Sequence, residues 1–124
     1  MNPIERAALA LVGAPFRLHG RDLGMGLDCV GVAALAFGVD APTGYALRRG
    51  RTEEIAALIA GAGFEAVDEP ISGDLMLMRT GPAQLHVGIK TAEGFVHADA
   101  GLRRVVERPG EPEWEIVGLW RRLS

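Results

Sequence analysis

The sequence predicts an α+β domain in which N-terminal helices pack on an antiparallel β-sheet. Up to about residue 63 the apolar residues recur with helical spacing, and from Phe64 onward they alternate in short segments separated by glycine and proline. Helices followed by strands are typical of the α+β class. The chain has 124 residues without an internal repeat, so we expect residues 1–124 to form a single domain.

Composition excludes several classes of protein. The net charge of −3 argues against nucleic-acid binding. No apolar run is long enough to span a membrane. A single cysteine leaves no internal disulfide to require an oxidising compartment. The small arginine groups at 48–51, 103–104 and 121–122 are best explained as solvated surface.

The first segment predicts an amphipathic helix. Asn2 is a good N-cap, Pro3 suits the first helical position, and apolar residues follow at helical spacing: Ile4, Ala7, Ala8, Leu11 and Val12. The apolar run is short and carries Glu5, which is unlike a signal peptide. We therefore expect synthesis in the cytoplasm without a signal peptide.

The only cysteine stands where a glycine-rich loop becomes a helix. Asp28 is a good N-cap, Gly38 is placed to end the helix, and the residues between them are almost wholly apolar, which predicts a buried helix. Cys29 falls in the first turn, where free N–H groups and the helix dipole favour a thiolate and suit an oxyanion. Cys29 is thus a candidate nucleophile, and the alternative is a small buried hydrophobe.

A loop from Asp40 to Gly50, punctuated by Pro42 and Gly44, leads to a second surface helix. We expect Thr52 to cap that helix, with its buried face formed by Ile55, Leu58 and Ile59. Six short strands follow, at Phe64–Val67, Asp74–Arg79, Gln84–Lys90, Phe95–Asp99, Leu102–Glu107 and Ile116–Arg122.

A thiol nucleophile needs a base, and the chain has three histidines. If the turn after Lys90 has an even number of residues, Gly88 pairs with His97 and His86 with Asp99 on one face of a hairpin. His86 is then the base, and either His97 or Asp99 orients it. An odd loop or a bulge would separate the two histidines.

None of the short cysteine and histidine spacings of zinc sites occurs, so we expect no metal and no other cofactor.

Five segments, in this order, resemble the NlpC-type cell-wall peptidases, which are papain-like cysteine peptidases. They are Pro15–Leu18, Leu27–Gly31, Gly73–Met76, His86–Ile89 and Phe95–Ala98, against a family pattern of P-Y-x-x-G, D-C-S-G, G-D-L, H-V-G-I and a late H-A. The resemblance implies a papain-like domain with its nucleophile at a helix N-terminus. It also implies hydrolysis of an amide in the peptide stem of peptidoglycan, commonly the bond between D-glutamate and diaminopimelate.

Carried over position by position, the resemblance makes Cys29 the nucleophile, His86 the base and His97 the orienting residue. Asp28 would lie beside the amino end of the substrate, and we count Phe16, Val30 and Asp99 with it as residues on the substrate side. Phe16 stands where the family has tyrosine, which removes a hydroxyl that assists the oxyanion. Val30 stands where the family has serine, which affects substrate preference.

The run Leu18–Asp22 before Cys29 resembles the short NlpC-like proteins of phage tails and gene transfer agents. This implies a particle-associated peptidase whose partners are the peptidoglycan stem peptide and tail or particle proteins. Two alternatives stay open. One is a non-catalytic tail or assembly protein that keeps the fold, and the other is a thiol deamidase or acyltransferase acting on another acyl compound.

Overall fold

The computed structural model describes residues 2–41, 47 and 51–123, and these residues form an α+β domain, as predicted. The elements within them are α1 (Pro3–Ala10), β1 (Arg21–Asp22), β2 (Gly26–Leu27), α2 (Cys29–Phe37), α3 (Thr52–Gly61), β3 (Phe64–Ala66), β4 (Leu75–Gly81), β5 (Gln84–Lys90), β6 (Gly94–Asp99), β7 (Arg104–Pro109) and β8 (Glu115–Arg122). The predicted loop from Asp40 to Gly50 lies mostly outside the described residues.

The main sheet has six strands in the order β3-β8-β4-β5-β6-β7, and every pair of neighbours is antiparallel. All six predicted strands are therefore confirmed, with shifts of a few residues at their ends. β1 and β2 form a separate two-stranded hairpin, which the sequence analysis had assigned to an irregular glycine loop. This hairpin lies directly before α2, so its second strand leads into the helix that begins at Cys29.

The predicted caps of the first two helices are confirmed. The Asn2 Oδ1 accepts a hydrogen bond of 2.7 Å from the backbone N–H of Ile4 at the start of α1. At the start of α2 the Asp28 Oδ1 accepts one of 2.8 Å from the N–H of Gly31. Gly38 ends α2 with a φ of 67°, in the left-handed region that glycine adopts without strain. These local signals determine where Cys29 enters its helix.

The predicted cap of α3 was wrong. Arg51 occupies the N-cap position without a side-chain capping bond, and Thr52 is the first helical residue. The Thr52 hydroxyl instead accepts a hydrogen bond of 3.1 Å from the Arg79 guanidinium on β4. This contact joins residues far apart in sequence, so local spacing alone does not reveal it.

The main core lies between α2 and one face of the sheet. Val32 of α2, Leu77 of β4 and Ile89 of β5 are almost fully buried in it. A smaller apolar cluster covers the other face of the sheet, where Met76, Met78 and Phe95 are buried and Trp114 packs against them. None of the helices in the described part of the chain is long and apolar enough to cross a membrane.

Near the candidate nucleophile, Gly31 in α2 is the glycine at which an added side chain is tolerated least. A Cβ at Gly31 would collide with the carbonyl oxygen of Gly20. We expect Gly31→Ala to lower the free energy of unfolding by about 2 kcal/mol or more, because the packed backbone has to move. Gly61→Ala in α3 is the matched control, since a Cβ there meets no atom within 4 Å. It should stabilise the fold by up to about 1 kcal/mol through helix propensity. Urea denaturation of both variants measures this, and equal midpoints would contradict it.

Candidate active site

The site lies where β5 and β6 separate beside the start of α2. Lys90 lies opposite Phe95 and Ile89 opposite Val96, so that an even number of residues, 91–94, separates the innermost pair. Of the two cases that the sequence left open, the even loop is therefore the one that forms. The predicted pairs Gly88 with His97 and His86 with Asp99 are not formed, because among the described residues the ladder between β5 and β6 ends at Ile89 and Val96. The histidines lie beyond that point, in the opening between the strands.

His86 and His97 nevertheless meet side chain to side chain. The His86 Nε2 lies 2.8 Å from the His97 Nδ1, and the two rings are perpendicular, with centroids 5.0 Å apart. Because the Nε2 of His86 is engaged by His97, its Nδ1 is the nitrogen left to accept a proton from a thiol. That role requires the His86 proton to sit on Nε2 and to be donated to His97, an assignment that follows from the hydrogen-bond network.

The same network places the proton of His97 on its Nε2, on the side of Asp99. His97 is 2% exposed, and its Nε2 has no hydrogen-bond partner among the described residues. The Asp99 Oδ2 lies 4.0 Å away, while the Asp99 Oδ1 accepts a hydrogen bond of 2.9 Å from the N–H of Leu102. The sequence left His97 and Asp99 as alternative partners of His86. The structure places them in series, with His97 in direct contact and Asp99 behind it.

Cys29 is buried at the floor of the same cleft, with 7% of its surface exposed. Burial raises the pKa of its thiol to about 12, and the neighbouring Asp28 carboxylate also raises it. Hydrogen bonding from the backbone N–H groups of Val87, Val30 and Cys29 itself lowers the pKa but does not outweigh burial. The expected thiolate is therefore not the resting state of the free chain, where Cys29 carries a neutral thiol at neutral pH.

The imidazoles are neutral as well. The pKa of His86 is lowered to about 4, mainly by burial and in part by the nearby His97, while Asp99 and Asp28 act in the opposite direction. Burial also lowers the pKa of His97. The charge of Asp99 opposes this shift, and the charge of Arg108 adds to it. A neutral thiol and a neutral imidazole that line the same cleft are suited to general-base chemistry, in which the proton moves as the sulfur attacks.

Asp28 is a buried carboxylate with several protein partners. Besides capping α2, it accepts a hydrogen bond of 3.0 Å from the backbone N–H of His19 and pairs with Arg21 at 2.8 Å. It also lines the cleft next to Cys29. Its contacts tie the β1–β2 hairpin to the start of α2, so Asp28 both shapes the site and borders it.

Of the remaining residues expected on the substrate side, two line the cleft and one does not. Phe16 and Asp99 line the cleft, whose volume is about 620 Å³. Val30 does not line it in the described part of the chain, and instead borders an apolar cavity between α2 and α3. Helical geometry explains this, because Val30 follows Cys29 by one position and points to another side of α2.

Thr80, Gln84 and Trp114 are among the residues of the cleft wall that were not predicted as site residues. Thr80 lies just beyond the predicted strand Asp74–Arg79, and Gln84 begins the predicted strand Gln84–Lys90 but carried no signal that would link it to Cys29. Trp114 precedes β8 and carried no local signal that would link it to the histidines. Among residues 2–41, 47 and 51–123, no group of three or more histidine, cysteine or carboxylate side chains is arranged to hold a metal ion.

The low pKa of His86 predicts a loss of stability in acid. The unfolded chain binds a proton near 6.5, whereas the folded chain binds it only near 4. Between these values the unfolded state holds more protons, so the free energy of unfolding falls as the pH falls through this window. We expect His86 to account for about 3 kcal/mol of the loss between about pH 7 and pH 4. Urea denaturation at both pH values should show a smaller loss in His86→Gln, and equal losses would contradict the shift.

Comparison with solved structures places this arrangement in a known fold. The NlpC/p60 domain of the peptidoglycan hydrolase SagA matches with a TM-score of 0.61 and 22% identity over 88% of this chain and 90% of that one. The peptidoglycan hydrolase RipB from Mycobacterium tuberculosis matches with a TM-score of 0.62 and 24% identity over 97% of this chain and 62% of that one. The P60 domain of an antigen of M. avium subspecies paratuberculosis matches with a TM-score of 0.60 and 20% identity over 97% and 91%.

No protein-family model matches the sequence, and no curated protein matches it at a significant level. The three structural likenesses are below 25% identity, so they establish the fold. In this chain the sheet is antiparallel, as the strand pattern predicted, and the cysteine stands at the start of a helix, as the resemblance implied. The chain therefore has the α+β, papain-like fold of NlpC/P60 domains.

Proposed function

We propose that this chain is a cysteine peptidase that hydrolyses an amide bond in the peptide stems of peptidoglycan. The observation that carries the proposal is the convergence of three groups on one cleft. A cysteine at a helix N-terminus lines it, as do two histidines whose rings are hydrogen-bonded at 2.8 Å. The structural neighbours named above as peptidoglycan hydrolases support the substrate class.

The geometry supports a two-step reaction. The Cys29 sulfur attacks the amide carbonyl while the Nδ1 of His86 takes the thiol proton, and the N–H of Cys29 stabilises the oxyanion. His86 then gives the proton to the leaving amine, and the carbonyl carbon stays on sulfur as a thioester. In the second step His86 removes a proton from water, which attacks the thioester. The products are a carboxylate and the restored thiol.

His97 serves this reaction by holding the base. Its Nδ1 accepts a hydrogen bond from the Nε2–H of His86, which leaves the Nδ1 of His86 free to accept the thiol proton. When His86 becomes an imidazolium, the charges of Asp99 and Asp28 favour the positive ring. The cleft therefore supplies the base with an orienting partner and with nearby negative charge.

The bond between D-glutamate and diaminopimelate is the scissile bond that the sequence resemblance favours. The same resemblance, through Leu18–Asp22, supports a setting in a phage tail or gene transfer agent particle, made in the cytoplasm and carried to the wall. Tail or particle proteins are the partners proposed for that setting. These finer statements rest on the sequence motifs.

The test is digestion of purified peptidoglycan by the intact chain, with separation and mass analysis of the fragments. We expect fragments with a new free amine on diaminopimelate and a new carboxylate on D-glutamate. Cleavage at another stem amide would correct the bond and keep the reaction. Intact stems after prolonged incubation would overturn the proposal and favour the non-catalytic alternative, while loss of ammonia alone would favour a deamidase.

A further inference from the structure

Trp114 touches both histidines of the site. It lies in the bend just before β8, lines the cleft and is half-buried. Its ring centroid is 5.8 Å from that of His86 and 5.7 Å from that of His97, with interplanar angles of 78° and 75°. The two imidazoles are in turn perpendicular to each other. The indole, two imidazoles and their shared hydrogen bond therefore form one packed unit.

The indole is held from several sides. The guanidinium of Arg108 on β7 lies over its ring at 5.4 Å, and Glu113 is 3.8 Å from the same guanidinium. Phe95 contacts the indole with a centroid distance of 6.2 Å, and the small apolar cluster of the sheet supports it from below. A cation over an indole face and an aromatic edge contact are both favourable interactions. Trp114 is thus anchored to the sheet independently of the histidines.

We propose that Trp114 is a positioning residue that shields the hydrogen bond between His86 and His97 from water and restricts the rotation of both imidazole rings. Two single bonds determine the orientation of an imidazole, and one hydrogen bond does not fix both. A perpendicular indole against each ring restricts the remaining rotation. Exclusion of water strengthens the hydrogen bond, because the local dielectric is low. The catalytic meaning of this role rests on the proposed function, whereas its effect on the histidines does not.

The charged groups around His86 and His97 determine how removal of the Trp114 indole changes the pKa of His86. Asp99 lies at the end of β6, Asp28 precedes α2, and Arg108 approaches from β7. Burial is the main cause of the low pKa of His86, and the indole provides part of that burial. Water that enters in its place will solvate the imidazolium. We therefore expect the pKa of His86 to rise from about 4 towards 6.5 when the indole is removed.

The test follows the imidazole signals of the intact chain by NMR as the pH is varied, in Trp114→Ala and Trp114→Phe. Trp114→Ala should raise the pH at which His86 titrates by about one unit or more, and Trp114→Phe should restore most of the original value because it keeps a flat ring. With stem peptide as substrate, Trp114→Ala should lower kcat about tenfold with little change in KM. Leu119→Ala is the matched control, since Leu119 packs on the same apolar cluster but is not aromatic.

The outcomes separate this inference from the proposed function. Unchanged histidine titration in Trp114→Ala would overturn the positioning role, and so would a loss confined to KM, which would make Trp114 a substrate contact. If the intact chain cleaves no stem peptide but the titration of His86 shifts, the positioning role stands and the proposed function fails. If Trp114→Ala does not fold, Trp114→Leu replaces it, since leucine keeps the apolar bulk without the ring.

Discussion

Cys29→Ala should abolish cleavage of stem peptides, with a rate at least about a thousandfold below that of the intact chain. The reason is that the sulfur forms the only covalent bond to the substrate in the proposed reaction. The side chain is small and buried, so the change leaves a small cavity and the fold should survive. Initial rates on a purified stem peptide, with far-ultraviolet circular dichroism as the folding check, provide the measurement.

Cys29→Ser is the matched control for that experiment. A serine hydroxyl has nearly the same shape as the thiol and is a much weaker acid, so an inactive Cys29→Ser would attribute the loss to sulfur chemistry rather than to packing. Retention of more than about a tenth of the activity in Cys29→Ala would contradict the nucleophilic role.

His86→Ala should cause a loss of similar size, because no other group accepts the thiol proton in the proposed reaction. We expect a fall of about a thousandfold in kcat, partly reversed by added imidazole, which fits the space that the ring leaves. The double variant with Cys29→Ala should be no slower than either single variant, since the two residues act as one unit. Additive losses would argue against a catalytic pair.

Substitutions of the other two histidines distinguish the role of the base from the roles of its neighbours. His97→Asn should retain more activity than His97→Ala, because an amide oxygen is able to accept the hydrogen bond from the Nε2 of His86. His19→Asn should lose at least about tenfold less than His86→Ala, since asparagine tolerates the left-handed backbone that His19 adopts, with a φ of 59°. Equal losses in all of these variants would indicate general damage to the fold.

Local signals were sufficient for much of this structure. The caps at Asn2 and Asp28 and the left-handed Gly38 involve contacts within a few residues, and these were predicted correctly. An even turn after Lys90 was one of two cases that the sequence left open, and it is the case in which strand alternation puts both histidines near one another. Long-range contacts were beyond this reasoning. The guanidinium of Arg79 donates a hydrogen bond to the Thr52 hydroxyl, and Trp114, which is distant in sequence, contacts the histidines.

The protonation of the site was also beyond the sequence. The position of Cys29 at a helix N-terminus favours a thiolate. Burial is the larger effect in the free chain and raises the pKa of the thiol to about 12. The depth of a side chain depends on the packing of α2 against the sheet, and no local pattern at Asp28 or Cys29 reports it. The separation of β5 from β6 beyond Val96 is a property of the same packing.

The most direct test of hydrolysis through Cys29 is cleavage of a stem peptide in water enriched in heavy oxygen, followed by mass spectrometry of both fragments. The proposed reaction predicts one heavy oxygen atom in the new carboxylate, none in the amine fragment, and no cleavage by Cys29→Ala. A new amide or ester in place of that carboxylate would mean acyl transfer. Cleavage by Cys29→Ala at the rate of the intact chain would contradict the central claim.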